Sequence, residues 1–267
     1  MRHETRKPPV PHDWPDLPVT APLKQRVRRR LEHSAATAYW VATLHSKVLG
    51  LLAWRHRLRH LGRCHIALSA KITGWSACEF QRNVVIGARS WINVNHRAGA
   101  APSLVIGENS FIGQDNFITV GRQVRFGPYC LTAAHCAYIG STHLIDDPML
   151  PYAVSGTTGE ADIVIGANCF FGYGASVLGQ VRIGHGSIIG AGASVRADIP
   201  PFCIAIGNPA RVLRHYDFEQ RLWRPGERPA DAAYLVPNED DYLRELRSKR
   251  PYLLQPVSAA SAWLGDI

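Results

Sequence analysis

The chain has 267 residues, 46% of them hydrophobic and 19% charged, which is enough apolar material for a substantial core in one or two domains. Its net charge of +9 is placed unevenly: residues 1–65 hold 13 Lys and Arg against 4 acids, and the remainder balances at 17 against 17. Any attraction to an anionic surface therefore belongs to the N-terminal segment, and six cysteines without a CxxC pair argue against a zinc knuckle or a thioredoxin-like site.

Residues 1–23 carry six prolines and read as an extended leader. From Lys24 to about Leu61 the pattern turns helical, with Val41, Leu44, Val48, Leu51 and Leu52 on one stripe between arginine clusters. The most apolar part, 37–54, contains His45 and Lys47 and barely reaches spanning length, so a transmembrane helix is not expected. The stripe can pack on the end of the next domain, or lie on acidic lipid with Trp40 and Trp54 at headgroup level. The start lacks the n-region, apolar core and cleavage site of a signal peptide, and unpaired cysteines suit a reducing compartment; a cytoplasmic location is expected, possible membrane contact being peripheral.

A six-residue period then begins. Ile66, Ile72, Ile86 and Ile92 open ragged units, Ile106, Ile112 and Ile118 tighter ones, and after a two-residue slip at GRQV come Phe126, Thr132 and Tyr138. From Ile165 to Pro200 six hexads share one frame, opened at 165, 171, 177, 183, 189 and 195. A period of six is neither helical nor that of an ordinary strand, and each unit is too short to bury its own face, so the units must stack. The fold expected is a parallel β-helix: three hexads make one coil of a triangular prism, each opener points to the axis, and Gly at the second place eases the corner. Ile165 then stacks on Ile183, Phe171 on Ile189 and Val177 on Val195. Cys130, Cys136 and Cys169 take the fifth place of their hexads, where a small buried hydrophobe suffices.

The repeat is interrupted between Tyr138 and Ile165 by a loop, 139–163, with Pro148, Pro151 and several Gly, Ser and Thr. Insertions in a rigid scaffold are where function concentrates. Within it His143 is the one group able to accept and donate a proton near neutral pH, and it is the candidate general base, against the plainer reading of an exposed loop histidine. After the repeat, IGNPARVLR leads the chain out of the prism, and Asn238 with Asp241 marks the start of a helix to about Arg250. The organisation expected is a basic leader and amphipathic helix (1–62), a β-helix domain (63–208) and an appendage of short helices and loops (209–267).

The hexads, the STH–DDP–DIVIG loop and the closing IGNPARVLR together resemble the left-handed β-helix acyltransferases of the maltose, galactoside and colanic-acid O-acetyltransferase type, over roughly residues 104–214. That resemblance implies left-handed coils, a homotrimer with active sites shared between subunits, and acetyl-CoA as donor to a sugar or glycan hydroxyl. It puts the catalytic histidine on His143 and the acceptor-site asparagine on Asn116. It puts the pantetheine arm on Tyr173, Ala191, Arg196 and Ala197, and the adenosine and phosphate end on Arg211 and Arg214, whose planar guanidinium groups suit phosphate. Two positions depart from the pattern: Phe170 stands for the usual Trp, and Ala197 for the usual Lys. No metal is expected, since His96, His135, His143 and His185 do not repeat the three-histidine arrangement of the zinc enzymes on this fold, and His185, third in its hexad, is expected to face solvent. A nucleic-acid partner is not expected. The alternatives are an antibiotic acetyltransferase of the same fold and a non-catalytic β-helix scaffold.

Overall fold

The computed structural model describes residues 54–60, 62–94, 101–153, 155–229 and 236–249. The leader, most of the helical pattern before it, and His96 lie outside the described residues. Three parallel sheets form the sides of a left-handed β-helical prism. The first contains β1 (His65–Ile66), β4 (Val85–Ile86), β7 (Phe111–Ile112), β10 (Leu131–Thr132), β13 (Phe170–Phe171), β16 (Ile188–Ile189) and β18 (Cys203–Ile206). The second contains β2 (Lys71–Thr73), β5 (Trp91–Asn93), β8 (Phe117–Thr119), β11 (Ala137–Ile139), β14 (Ser176–Leu178) and β17 (Ser194–Val195). The third contains β3 (Cys78–Phe80), β6 (Leu104–Ile106), β9 (Gln123–Phe126), β12 (Asp162–Ile165) and β15 (Val181–Ile183).

Each strand pairs with the strand one coil away, and the register is the one the hexads dictate: Ile165 pairs with Ile183, Phe171 with Ile189 and Val177 with Val195. The openers from Ile86 to Val195 line the axis and are buried. Their sizes alternate so that layers interlock. Phe126 and Tyr138 are bulky where Thr132 of the same coil is small, and Phe171 of the next coil fills the space, with ring centroids 4.7 Å (Phe126–Tyr138) and 5.3 Å (Tyr138–Phe171) apart.

The corners work differently from the sequence expectation. The residue that turns the chain sits at the fourth place, where Asn83, Arg89, Asn109, Asp115, Tyr129, His135, Asn168 and Phe202 all have positive φ. The second-place glycine serves close approach instead: a Cβ on Gly166 would stand 2.5 Å from the backbone nitrogen of His185 in the next coil.

Both ends of the prism are covered. Residues 54–60 are helical, and Arg57 donates to the carbonyls of Ile66, Ala67, Leu68 and Ala70 in the first coil, which have no preceding strand to bond among the described residues. His56 stacks on Trp75 at 5.9 Å and His60 at 6.3 Å, closing the end with rings. At the other end the expected helices and loops are in part strands. β19 (Arg211–Asp217) and β20 (Leu222–Pro225) extend the first sheet antiparallel, because the chain reverses after the last coil and finds an open edge at β18. Helix α1 (Glu239–Lys249) forms where predicted: Asp241 N–H donates to Asn238 Oδ1, and Asn238 Nδ2 donates back to Asp241 Oδ2, each at 2.9 Å. It lies along a prism corner. Glu239 accepts from Ala167 N–H at 2.5 Å, Tyr242 OH bonds Asn168, and Arg247 pairs with Glu108 at 2.7 Å. That packing overturns the expectation for His185, which is buried beneath Phe202 and Tyr242, with Nε2 2.9 Å from the Pro237 carbonyl.

Candidate active site

The inserted segment leaves the second sheet at the end of β11 and returns into the third at β12. It is built as a two-stranded ribbon. Thr142 and Thr158 exchange bonds, Thr158 N–H to the Thr142 carbonyl (2.7 Å) and Thr142 N–H to Thr158 Oγ1 (3.1 Å). Leu144 N–H reaches the Gly156 carbonyl, and His143 is bridged antiparallel to Thr157. Its base is fixed to the prism. Thr119 Oγ1 donates to the Ser141 carbonyl (3.0 Å) and accepts from Ser141 N–H (3.2 Å), while Ser141 Oγ donates to the Thr158 carbonyl (2.6 Å). At the exit, Arg122 grips Asp162 with both arms of its guanidinium, which holds the Asp162 carboxyl below the usual carboxylate range.

His143 is thus carried two residues beyond a rigid anchor, with its side chain exposed. None of these clamps was read from the sequence. The slip at GRQV and the acid of ADIV were the visible traces of Arg122 and Asp162.

Asn116 takes a different place from the one the resemblance gave it. It is 1% exposed at the fifth place of its hexad and faces inward. Its amide donates to the carbonyls of Gln114 (3.2 Å) and Ala133 (2.9 Å), and its oxygen accepts from Thr132 Oγ1 (3.2 Å). Both amide hydrogens are spent inside the corner, so contact with an acceptor does not fit its geometry; Asn116 braces two coils.

Of the residues assigned to acetyl-CoA, Tyr173, Ala191, Arg196 and Ala197 lie at the corners of the second sheet over its late coils, and Arg211 and Arg214 lie on β19 at the edge of the first sheet. Tyr173 and Ala191 lie on the corner where the chain enters that sheet, successive coils being joined there by Gly192 N–H to the Tyr173 carbonyl at 2.8 Å. Arg196 and Ala197 lie at the opposite corner, after β17. Between them the outward positions Ala137, Ser176 and Ser194 are small and stack in register; Ala137 and Ser176 are half-buried and Ser194 is 5% exposed, so the bed is open over the first two and covered at the third. Arg196, Arg211 and Arg214 are exposed and make no ion pair among the described residues; Arg211 Nη1 donates to the Ala210 carbonyl at 3.1 Å. At the entry corner Arg89 holds Asp115 bidentately, at 2.8 and 2.6 Å. The Nε2 of His135 stands 3.8 Å from that carboxylate, and its ring meets Tyr173 edge-on at 5.2 Å.

The bacterial transferase hexapeptide (six repeats) pattern matches residues 162–197. A protein named as a probable acetyltransferase of Mycobacterium tuberculosis is 32% identical over 137 residues, covering 51% of this chain and 44% of that one. A protein of Staphylococcus aureus named as an acetyltransferase is 34% identical over 114 residues, covering 43% of this chain and 56% of its own. The chain thus spans about half the length of the curated relatives it matches. A hexapeptide-repeat acetyltransferase of Vibrio cholerae solved with acetyl-coenzyme A superposes with a TM-score of 0.43 at 21% identity, over 52% of this chain and 70% of that one. The repeat pattern over residues 162–197, and these relatives over the part of the chain they cover, make the chain similar to the hexapeptide-repeat acetyltransferases.

Proposed function

We propose that this protein is an acetyl-CoA-dependent O-acetyltransferase acting on a hydroxyl of a sugar or glycan precursor. The observation that carries the reading is the outer face of the second sheet: Ala137, Ser176 and Ser194 stack in register on it, Arg196 follows β17 at one end, and the His143 ribbon departs from β11 at the other. The bed suits a thin pantetheine arm, and Arg211 and Arg214 suit its phosphates. His143 takes the proton of the acceptor hydroxyl as the oxygen attacks the thioester carbonyl. The tetrahedral oxyanion then collapses, the carbon–sulfur bond breaks, and the proton passes from His143 to the departing thiolate, so no acyl-enzyme forms.

A homotrimer with shared sites belongs to the same reading. The ribbon tip carries Ile145 (72% exposed), Met149 (89%) and Tyr152 (49%), an apolar set better placed against a second copy than in water. The cytoplasmic location and peripheral contact with acidic lipid remain part of the proposal. The lipid contact is supported by the basic excess of 1–65 and by Trp54 and Leu58, exposed on the capping helix; no helix among the described residues is long and apolar enough to cross a membrane.

The test is thiol release from acetyl-CoA against a panel of sugars, lipid-linked sugars and antibiotics, by wild type and His143→Ala. The variant should lose about 10²–10⁴-fold in kcat with its fold and acetyl-CoA affinity intact. Near-wild-type turnover would refute the mechanism. Turnover of antibiotics alone would move the protein to the drug-modifying class, and none with any acceptor would favour a scaffold.

A further inference from the structure

The early coils of the same sheet face carry a feature that neither the bed nor the ribbon uses. Lys71, Trp91 and Phe117 stand in register on the outside of β2, β5 and β8. The Trp91 and Phe117 rings lie 5.3 Å apart, Lys71 Nζ sits 5.0 Å over the Trp91 ring, and Trp91 is 44% exposed. Two residues further along each strand, about 6.5 Å away on the same face, runs a polar row of Thr73, Asn93 and Thr119. Thr73 Oγ1 donates to Asn93 Oδ1 at 2.6 Å, and the Asn93 amide hydrogens have no partner among the described residues. Thr119 is the residue that anchors Ser141, two positions before His143.

From this juxtaposition we infer a binding subsite for a sugar ring remote from the reacting one, so that the acceptor is a glycan of two or more rings. A pyranose has an apolar face of C–H bonds and a rim of hydroxyls. A flat aromatic ring beside a line of hydroxyl and amide groups complements both, and Lys71 adds a donor for oxygen. Position sets the length of the acceptor. Strands are about 4.8 Å apart, so Trp91 lies about 10 Å from the Ala137 row, from whose strand the His143 ribbon leaves. The His143 ribbon departs from that strand and is anchored at Thr119, so we place the reacting ring at the ribbon base and the ring over Trp91 beside it in the same glycan. The face is thereby divided, donor on the late coils and acceptor on the early ones. The inference rests on the acetyltransferase reading for its reaction but not for its binding surface.

Binding of the full-length protein to an array of bacterial glycans of one to six rings reads recognition without turnover. Multi-ring glycans should be retained in preference to the corresponding monosaccharides, and His143→Ala should bind them like wild type. Trp91→Ala should weaken them about tenfold or more, while Trp91→Tyr, which keeps a flat ring, should restore most of the affinity at an unchanged melting temperature. Retention of no multi-ring glycan, or equal binding by Trp91→Ala and wild type, overturns the subsite. A smaller assembly for Trp91→Ala in light scattering would overturn it too, assigning the ring pair to a contact between copies. Absence of thiol release on glycans that bind through Trp91 would refute acetyl transfer and leave the subsite standing.

Discussion

Tyr138→Phe is expected to stabilise the protein. Tyr138 opens its hexad and is fully buried on the prism axis, between Phe126 and Phe171. Its hydroxyl has no hydrogen-bond partner among the described residues, and burial drives its pKa well above the ordinary tyrosine value. An orphaned buried hydroxyl costs about 1–3 kcal/mol, the hydration it gave up without replacement. Phenylalanine keeps the ring and both edge-on contacts, and the void left is smaller than a methyl group, costing under about 1 kcal/mol. The net gain is therefore about 1–2 kcal/mol. At roughly 2–4 °C per kcal/mol for a domain of this size, Tm should rise by about 2–8 °C. Urea unfolding followed by far-ultraviolet circular dichroism measures it directly: the midpoint should rise with the m-value unchanged. A loss of about 1 kcal/mol or more in Tyr138→Phe would refute the reasoning, because it would mean that the hydroxyl is satisfied within the prism.

Light scattering at micromolar concentration should give three times the chain mass, and replacing Ile145 and Met149 by Ser should lower it; a fully active monomer would remove the shared-site scheme. The end cap should be acid-sensitive. Burial, then Arg63, His56 and Arg59, lower the His60 pKa, and burial with Arg59 and Arg55 lowers that of His56, so the folded state favours the neutral rings. Their contribution is complete above the unfolded value of about 6.5 and is lost as pH falls through the lower folded values. Melting temperature measured from about pH 7.5 to about pH 5 should fall more steeply for wild type than for His60→Gln, and equal slopes would show that His60 does not couple to the cap.

The sequence alone determined the coil. A six-residue period leaves the backbone one way to bury its openers, and the frame from Ile165 to Pro200 fixes which residues stack, because a slip of one position would turn every opener outward. It also determined α1, through the reciprocal Asn238–Asp241 cap, and singled out His143 as the candidate proton-transfer group in an inserted segment. What it could not determine depends on contacts distant in the chain, 16 to 52 residues apart. The bidentate grip of Arg122 on Asp162, the Thr119 anchor of the ribbon and the cover over His185 are such contacts. Asn116 shows the reason. Its hexad position was legible, but whether its carboxamide serves a ligand or the corner depends on which groups the next coil presents, and the Ala133 carbonyl and Thr132 hydroxyl take it inward. The Trp91–Phe117 platform likewise exists only because parallel register sets two outward rings side by side, from residues 26 apart that no local pattern connects. Period fixes the path of the chain; the stacking of coils decides which side chains meet.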